Sequence, residues 1–308
     1  MNIIAKSDLK YLNFIFALFL LSGISYAQES TEFVTVDGFK YHVKLGGMEH
    51  LKDSVPIVVM EMGAGSTLKS WDPIFNDLTQ FAPVFAYERA GIGQSEWNNI
   101  EPTPLNVANQ LKKILTELKL TAPYILVGHS WGGVIIRTFA GHYKEDVKAL
   151  VYIDPMDYEM TIEESRKIYS DIGVDPDEAL KFVEDVTDFF TSTMQLPPGI
   201  AAEYDTIEKF EKSDIQDREL GEEPNLPMAV FIGTKFMQPP PVPPQFKAPF
   251  EHKEWFNSSI KQRINSLSKW PIEYSDEGYL FISPKSTHYF HLGEPKMVVD
   301  MIRRFTVK

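Results

Sequence analysis

The chain has 308 residues, a formal net charge of −13, 44% hydrophobic residues and no cysteine. This composition is typical of a globular protein and excludes a disordered or fibrous chain. The absence of cysteine excludes disulfides, iron–sulfur clusters, cysteine-ligated zinc and thiol nucleophiles. The negative charge argues against a nucleic-acid partner, because phosphate binding requires clustered lysine and arginine.

The N-terminus has the layout of a secretory signal peptide over residues 1–27. Lys6 and Lys10 precede an apolar run over residues 11–21, and Ser25-Tyr26-Ala27 follows as a small-x-small cleavage site. The run is shorter than the roughly 20 residues that cross a bilayer as a helix. We therefore expect cleavage after Ala27 and a periplasmic or secreted protein without a stable membrane anchor. An uncleaved anchor is the alternative.

Apolar runs alternate with helical patterns along the rest of the chain. Continuous apolar runs predict buried strands, alternating residues around Asp37-Gly38 predict a hairpin, and apolar residues at helical spacing predict helices. The predicted strands cover 31–36, 39–45, 56–60, 83–87, 124–127, 149–153, 228–232 and 279–282, and the predicted helices cover 71–81, 105–118, 131–142, a part of 253–267, and 295–305. This alternation indicates an α/β fold with a mostly parallel sheet and helices on both faces.

One segment interrupts the alternation. Residues 157–227 contain no strand pattern and predict two to four helices, so we expect a helical cap inserted into a core domain of residues 28–156 and 228–308. The cap holds 20 acidic and 6 basic residues, a net charge of −14, which leaves the core neutral. The proline-rich stretch 238–246 predicts a stiff, extended rim, with a plain surface loop as the alternative.

A G-x-S-x-G motif, Gly128-His129-Ser130-Trp131-Gly132, lies between a predicted strand and a predicted helix. The motif alone is weak because glycine and serine are common, but the strand–turn–helix context favours a nucleophile elbow. Such a tight turn projects the Ser130 hydroxyl above the sheet edge. The following helix directs its N-terminal N–H groups at developing negative charge.

With three further segments in the expected order, the chain resembles the α/β-hydrolase fold family. Met62-Gly63-Ala64-Gly65 stands where such hydrolases carry His-Gly-x-Gly, Glu88–Ser95 looks like their D-R-x-G-x-G-x-S turn, and His288–Pro295 looks like their terminal histidine segment. The resemblance covers nearly the whole chain after the signal peptide and implies the α/β-hydrolase fold. The sequence has no complete dinucleotide fingerprint, P-loop or H-E-x-x-H motif, so we expect no cofactor and no metal.

The resemblance implies a catalytic triad with Ser130 as nucleophile, which needs an adjacent base. Of the seven histidines, His288 and His291 follow the last strand, where the family places its base. The spacing to Glu294-Pro295 favours His288 as the general base, and His291 is then expected to be a packing or capping residue.

The acid of the triad departs from the usual family pattern. No carboxylate follows the predicted strand 228–232 before Glu251, whereas Asp154 stands at the end of the preceding strand. A carboxylate at the end of a buried strand is costly unless it serves a site. Asp154 is therefore the expected acid, and Asp157 is the alternative.

Backbone N–H groups of Ala64 and Trp131 are the expected oxyanion hole, by analogy with the family. Glu61 is unexpected beside such a site, and we expect it to form a structural pair with Arg89, with a bound substrate cation as the alternative. The side chains expected to contact substrate are Met62, His129, Phe189, Phe190 and Trp255.

Together these features predict a serine hydrolase that cleaves a carboxylic ester through an acyl-enzyme on Ser130. A prolyl-aminopeptidase-like peptidase is the alternative, because acidic cap residues would supply partners for a substrate amine. A non-catalytic binding module on the same fold is the third reading. Dehalogenases and epoxide hydrolases of this fold carry Asp at the nucleophile position, which here is Ser130.

The substrate class follows from a narrower resemblance. The elbow Gly-His-Ser-Trp-Gly-Gly, the turn Arg-Ala-Gly-Ile-Gly-Gln-Ser and the acid after the sixth strand are similar to those of serine-dependent macrolide esterases. Those enzymes open the lactone rings of antibiotics that bear a basic amino sugar. We therefore expect a small-molecule ester or lactone as substrate, and a cationic one would be attracted by the acidic cap.

Overall fold

The computed structural model describes residues 30–52, 55–239 and 241–307, so the predicted signal peptide, residues 1–27, lies outside the described residues. Within these ranges, eight strands form one sheet in the order β1-β2-β4-β3-β5-β6-β7-β8. The strands are β1 (Ser30–Val36), β2 (Phe39–Gly46), β3 (Ile57–Glu61), β4 (Val84–Tyr87), β5 (Tyr124–His129), β6 (Val147–Ile153), β7 (Met228–Gly233) and β8 (Gly278–Ser283).

The first two strands form the antiparallel hairpin that the sequence predicts. Asp37 and Gly38 both have positive φ, 52° and 86°, which is the pair of left-handed residues that a tight type I′ turn requires. β2 pairs antiparallel with β4, and all later neighbours in the sheet pair in parallel. Strands β3 to β7 are buried almost throughout, because helices cover both faces, and their sequences are accordingly continuous apolar runs.

Ten helices accompany the sheet in the described part of the chain. They are α1 (Asp72–Thr79), α2 (Pro104–Glu117), α3 (Trp131–His142), α4 (Ile162–Ser170), α5 (Pro176–Thr193), α6 (Pro198–Lys212), α7 (His252–Leu267), α8 (Trp270–Glu273), α9 (Phe290–Gly293) and α10 (Pro295–Thr306), with short 3-10 turns at Met48–His50, Leu68–Trp71, Lys144–Asp146 and Ile215–Asp217. The apolar faces of α2 and α3 pack on one side of the sheet, and those of α1 and α10 pack on the other.

Three of these helices, α4, α5 and α6, lie between β6 and β7, in the segment expected to form a cap. α7, which follows β7, joins the same group, because the Ser258 hydroxyl donates to Ile168 O on α4 at 2.9 Å. Phe246 and Phe250, which precede α7, pack on α5 aromatics and on Tyr169. The exact division into core and cap stays a prediction, but the contacts extend the helical group beyond residue 227.

The predicted elements match the structure to within a few residues, and α3 has the predicted bounds. The structure adds α8 and α9, which the sequence patterns did not predict. Each is four residues long, too short to show a helical period. None of the helices in the described ranges is long and apolar enough to cross a membrane.

The carboxyl ends of the parallel strands bring the candidate site residues to one edge of the sheet. β5 leads into Ser130 and β6 leads into Asp154, and the register pairs the last residues of these two strands, His129 and Ile153. The loop that carries His288 follows β8, and the Met62–Gly65 loop follows β3. This edge is where open α/β sheets place their ligand sites.

Candidate active site

Ser130 occupies a strained turn between β5 and α3. Its φ and ψ are 53° and −121°, outside the regions that non-glycine residues ordinarily adopt. The Ser130 N–H donates to Ile153 O at 3.2 Å, and the Ser130 carbonyl accepts from the N–H groups of Gly133 and Met156 at 2.9 and 3.0 Å. These three backbone hydrogen bonds hold the strained residue, whose side chain stays partly exposed.

The helix after Ser130 approaches the sheet so closely that only glycine fits at two positions. A Cβ on Gly132 would lie 2.3 Å from Glu61 O and 2.6 Å from Met62 O, and a Cβ on Gly128 would lie 2.5 Å from Gly132 O. Both residues are glycines of the G-x-S-x-G motif. The motif spacing therefore reflects the contact of α3 with the ends of β3 and β5.

Asp154 and His288 are hydrogen-bonded to each other beside Ser130. Asp154 Oδ2 lies 2.6 Å from His288 Nδ1, and Asp154 Oδ1 accepts the Gly233 N–H at 3.0 Å. The Asp154 side chain is 1% exposed and that of His288 is 37% exposed. With Nδ1 held by the carboxylate, Nε2 is the nitrogen left to exchange a proton. The β5–β6 register puts Ser130 next to Asp154, although no hydrogen bond joins the Ser130 hydroxyl to His288 in the described part of the chain.

The alternative acid, Asp157, has different surroundings. Its Oδ1 accepts the Glu159 N–H at 3.0 Å within its own turn, and burial raises the pKa of its carboxyl. The geometry therefore favours Asp154 over Asp157 as the partner of His288.

Arg263 on α7, which sequence reasoning missed, completes the surroundings of Asp154. Its Nη1 lies 3.3 Å from Asp154 Oδ2, and its Nη2 donates to Pro155 O at 3.0 Å. Burial disfavours the ionised carboxylate, but the Arg263 charge and the His288 hydrogen bond outweigh it and lower the pKa of Asp154. Asp154 is therefore ionised at neutral pH and can stabilise a protonated His288.

Two other histidines at this edge are buried. His129 Nε2 lies 3.0 Å from His288 O, and burial, with the neighbouring His288, lowers the pKa of His129 well below its ordinary value. His291 Nε2 lies 3.1 Å from Ser70 O, and burial lowers the pKa of His291 to about 4. Both imidazoles are therefore neutral, and the contacts of His291 agree with the expected packing role. Across the described ranges, no group of three or more His, Cys, Asp or Glu side chains could hold a metal ion.

The Met62–Gly65 loop lies against the elbow. A Cβ built on Gly63 would lie 3.3 Å from Ser130 Cβ and 2.9 Å from His129 Nδ1. Within the described residues, the N–H groups of Ala64 and Trp131 donate to no protein acceptor. Two unengaged N–H donors close to Ser130 are what an oxyanion hole requires.

A buried ion-pair cluster lies behind this loop. Arg89 Nη1 donates to Glu61 Oε1 at 2.6 Å, so the expected structural pair of Glu61 and Arg89 is present. Glu203 on α6 is a second carboxylate partner of Arg89, which sequence reasoning did not identify. Because both carboxylates are bound to Arg89, the cluster has a structural role and offers Glu61 no exposed surface for a substrate cation.

The residues expected to contact substrate have different locations. Met62 is fully buried in the hydrophobic core, so the expectation that its side chain contacts substrate is corrected. His129 is 3% exposed and packs on the His288 ring. The aromatic candidates are partly buried in the helical group, where Phe189 packs on Phe190 and Phe246, and Trp255 packs on Phe250.

Tyr204 and Ile200 on α6 lie against the Met62–Gly65 loop, which carries a predicted oxyanion donor. Ile200 Cγ2 lies 3.4 Å, and the Tyr204 hydroxyl 3.7 Å, from the position of a Cβ on Gly65. Tyr204 is 40% exposed. Both face the loop from the α6 side, so they are better candidates for a pocket wall than Met62.

Replacement of Arg263 by Gln is expected to lower the free energy of unfolding at pH 7 by about 1–3 kcal/mol, because buried Asp154 loses a cationic partner. The pKa of Asp154 is lowered in the folded protein, so its contribution is present above the ordinary carboxyl pKa of about 4 and is lost as the pH falls. The deficit of the variant should therefore shrink at about pH 3. Urea unfolding at both pH values measures it.

The matched control is Lys261→Gln, an exposed cation on the same helix. It should leave the unfolding free energy unchanged at both pH values. An Arg263→Gln deficit that is equal at pH 7 and at low pH would mean that Arg263 acts through packing and not through Asp154.

The model of the alpha/beta hydrolase fold family matches residues 56–187. The uncharacterized protein YqjL of Bacillus subtilis is 32% identical over 122 residues, 39% of this chain and 46% of YqjL. The structure of Cfl2 from Burkholderia cenocepacia has a TM-score of 0.57 at 17% identity, over 90% of this chain and 96% of Cfl2. The carboxylesterase CesB of Bacillus subtilis has a TM-score of 0.53 at 16% identity, over 96% and 97% of the two chains.

The matched regions account for less than half the length of the curated sequence relatives. The family match nevertheless contains the Met62–Gly65 loop, Ser130 and Asp154. The structural matches extend over nearly the whole chain and share its fold. The chain therefore has the α/β-hydrolase fold.

Proposed function

We propose that this protein is a serine hydrolase that cleaves carboxylic esters. The observation that carries the proposal is the 2.6 Å hydrogen bond between ionised Asp154 and His288, at the sheet edge where Ser130 occupies the strained elbow. In this arrangement Ser130 is the nucleophile, His288 is the general base, and Asp154 orients the imidazole. The esterase fold of CesB is consistent with this chemistry.

The reaction follows from the positions of these groups. His288 Nε2 takes the Ser130 hydroxyl proton as Oγ attacks the ester carbonyl carbon, and the carbonyl oxygen becomes an anion that accepts the Ala64 and Trp131 N–H groups. The tetrahedral intermediate collapses, the C–O bond to the alcohol breaks, and the alcohol leaves with the proton from His288. Water then attacks the acyl-enzyme carbonyl and gives one proton to His288. The bond to Ser130 Oγ breaks, Oγ takes that proton back from His288, and the carboxylic acid is released.

The buried ion-pair cluster argues against the aminopeptidase alternative. A peptidase of that type needs a free carboxylate near the site to bind the substrate amine. Glu203 is the cap carboxylate bound to the Met62–Gly65 loop, and Arg89 and the Gly65 N–H already engage it. Ester cleavage needs no such carboxylate. A non-catalytic binding module would require neither the strained elbow nor the Asp154–His288 hydrogen bond, so these two features argue against that alternative.

Ser130→Ala is expected to reduce turnover of aryl esters at least about 10⁴-fold and to abolish labelling by a fluorophosphonate probe. Asp154→Asn should reduce kcat about 10³- to 10⁴-fold, because the imidazole loses its orienting anion. Asp157→Asn is the matched control and should stay within about threefold of wild type. Circular dichroism checks that each variant is folded. Loss of activity in Asp157→Asn, with activity kept in Asp154→Asn, would contradict the assignment of the acid.

The substrate class is the finer part of the proposal. We propose a small ester or lactone that carries a positive charge, with macrolide-type lactones bearing a basic amino sugar as the candidate suggested by the sequence. The cap segment 157–227 has a net charge of −14. Five of its six cations form ion pairs with surface carboxylates, and two cap carboxylates, Glu203 and Glu223, pair with Arg89 and Arg137 of the core. Most cap carboxylates have no cationic partner among these ion pairs. A field of this sign concentrates cationic substrates at the site entrance.

Salt should therefore affect cationic and neutral esters differently. Raising the ionic strength from about 0.02 to 0.5 M is expected to lower kcat/KM for butyrylcholine about three- to tenfold, because salt screens the field of the cap. The isosteric neutral ester, 3,3-dimethylbutyl butyrate, should change less than about 1.5-fold. An equal response of the two esters would contradict electrostatic attraction. A panel that adds macrolide lactones and aminoacyl anilides, assayed against Ser130→Ala, tests the substrate class.

We also propose that the protein is exported and that its mature chain begins at Gln28. The support is the sequence of residues 1–27, with its basic start, apolar run and small-x-small site. N-terminal sequencing of the protein from fractionated cells should give Gln28 in the periplasm or medium. A chain that keeps residues 1–27 and sediments with membranes would instead support the uncleaved anchor.

A further inference from the structure

Glu203 reaches from helix α6 to the loop beside Ser130. It is 1% exposed, and its Oε2 accepts the Gly65 N–H at 2.8 Å and Arg89 Nη2 at 3.0 Å. Its Oε1 accepts Arg89 Nε, so the carboxylate binds the guanidinium through two nitrogens. Such a bidentate pair fixes the plane of the guanidinium as well as its position.

Arg89 in turn holds two carbonyl groups of the Met62–Gly65 loop. Its Nη2 donates to Gly63 O at 2.8 Å, and its Nη1 donates to Met62 O at 2.8 Å. In a trans peptide the C=O and the following N–H point in opposite directions. Because Arg89 holds the Gly63 carbonyl, it also sets the direction of the Ala64 N–H, which lies in the same peptide group.

The two peptide groups that flank the Ala64 α-carbon are therefore both held. The Gly63–Ala64 peptide is held by Arg89, and the Ala64–Gly65 peptide is held directly by Glu203. We propose that Glu203 is a positioning residue for the oxyanion hole, through which the cap helix α6 fixes the direction of the Ala64 N–H. This inference rests on the proposed ester hydrolysis, for which Ala64 supplies an oxyanion donor.

The rest of α6 supports this role, because the helix packs against residues next to both proposed oxyanion donors, Ala64 and Trp131. At its start, a Cβ on Gly199 would lie 2.3 Å from Ala90 O, so the helix backbone touches the turn after Arg89. At its end, the Phe210 ring packs edge-on against Trp131, with ring centroids 5.2 Å apart. Glu203 lies between these contacts on the same buried face of the helix.

Steady-state kinetics on an aryl ester test whether Glu203 orients the Ala64 N–H or only attaches the cap helix to the core. Glu203→Ala is expected to lower kcat about 100-fold with KM within about threefold, because the donor is misdirected in the transition state while ground-state binding is kept. Glu203→Gln keeps one acceptor oxygen and should restore kcat to within about tenfold of wild type. Thr206→Val is the matched control, since Thr206 is buried on the same helix and its hydroxyl bonds only within α6. It should stay within about twofold.

Hydrogen exchange gives a readout that does not depend on turnover. The Gly65 N–H is protected by Glu203, so the peptide covering the Met62–Gly65 loop should exchange at least about tenfold faster in Glu203→Ala than in wild type or Thr206→Val. If the alanine variant does not fold, Glu203→Gln is measured instead. Because it keeps one acceptor oxygen, exchange of the same peptide should then be faster than in wild type, but by less than about tenfold.

The outcomes separate this inference from the proposed function. Faster loop exchange together with a selective loss of kcat supports positioning. Unchanged loop exchange, or a loss confined to KM, overturns it. If the wild type hydrolyses no ester while loop exchange still responds to Glu203, the proposed function fails and the positioning of the loop stands. Equal losses in Glu203→Ala and Thr206→Val would show that only docking of α6 matters and would also overturn the inference.

Discussion

The candidate site depends on a contact in which backbone packs directly on backbone. α3 begins so close to the ends of β3 and β5 that Gly128 and Gly132 have no room for a Cβ. The chain must therefore turn within a single residue, and Ser130 takes a φ of 53°. Strain of this kind costs about 1–3 kcal/mol and persists only where the surroundings fix it. The three backbone hydrogen bonds of Ser130 do so, and α3 begins at the next residue.

Residues whose role depends on local chain geometry could be predicted from the sequence. The apolar runs predicted the buried strands, and the glycine spacing pointed to Ser130. The burial cost of a carboxylate at a strand end pointed to Asp154, which the structure pairs with His288. Met62 marks the limit of such reasoning. It occupies a motif position, but its side chain is buried in the core.

The two site residues that could not be predicted from the sequence, Arg263 and Glu203, lie on helices and contact residues that are distant in the sequence. Arg263 contacts Asp154 across 109 positions, and Glu203 contacts Arg89 across 114 positions. In the sequence both look like ordinary charges on amphipathic helices. One signal was available, because the buried positions of α6, residues 199, 203, 206 and 210, repeat at helical spacing. A glutamate on such a stripe requires a buried cationic partner, but the sequence cannot say which arginine supplies it.

The acidic residues of the cap act through two different physical effects. On its outer face, carboxylates are solvated, and their field extends over about a Debye length before salt screens it. On its inner face, Glu203 acts through short hydrogen bonds in a region from which water is excluded, where salt has little effect. Arg89 faces two buried carboxylates there, and burial raises the pKa of Glu61. One helical segment can therefore attract a substrate with its exterior while its interior shapes the groups that would stabilise the reaction.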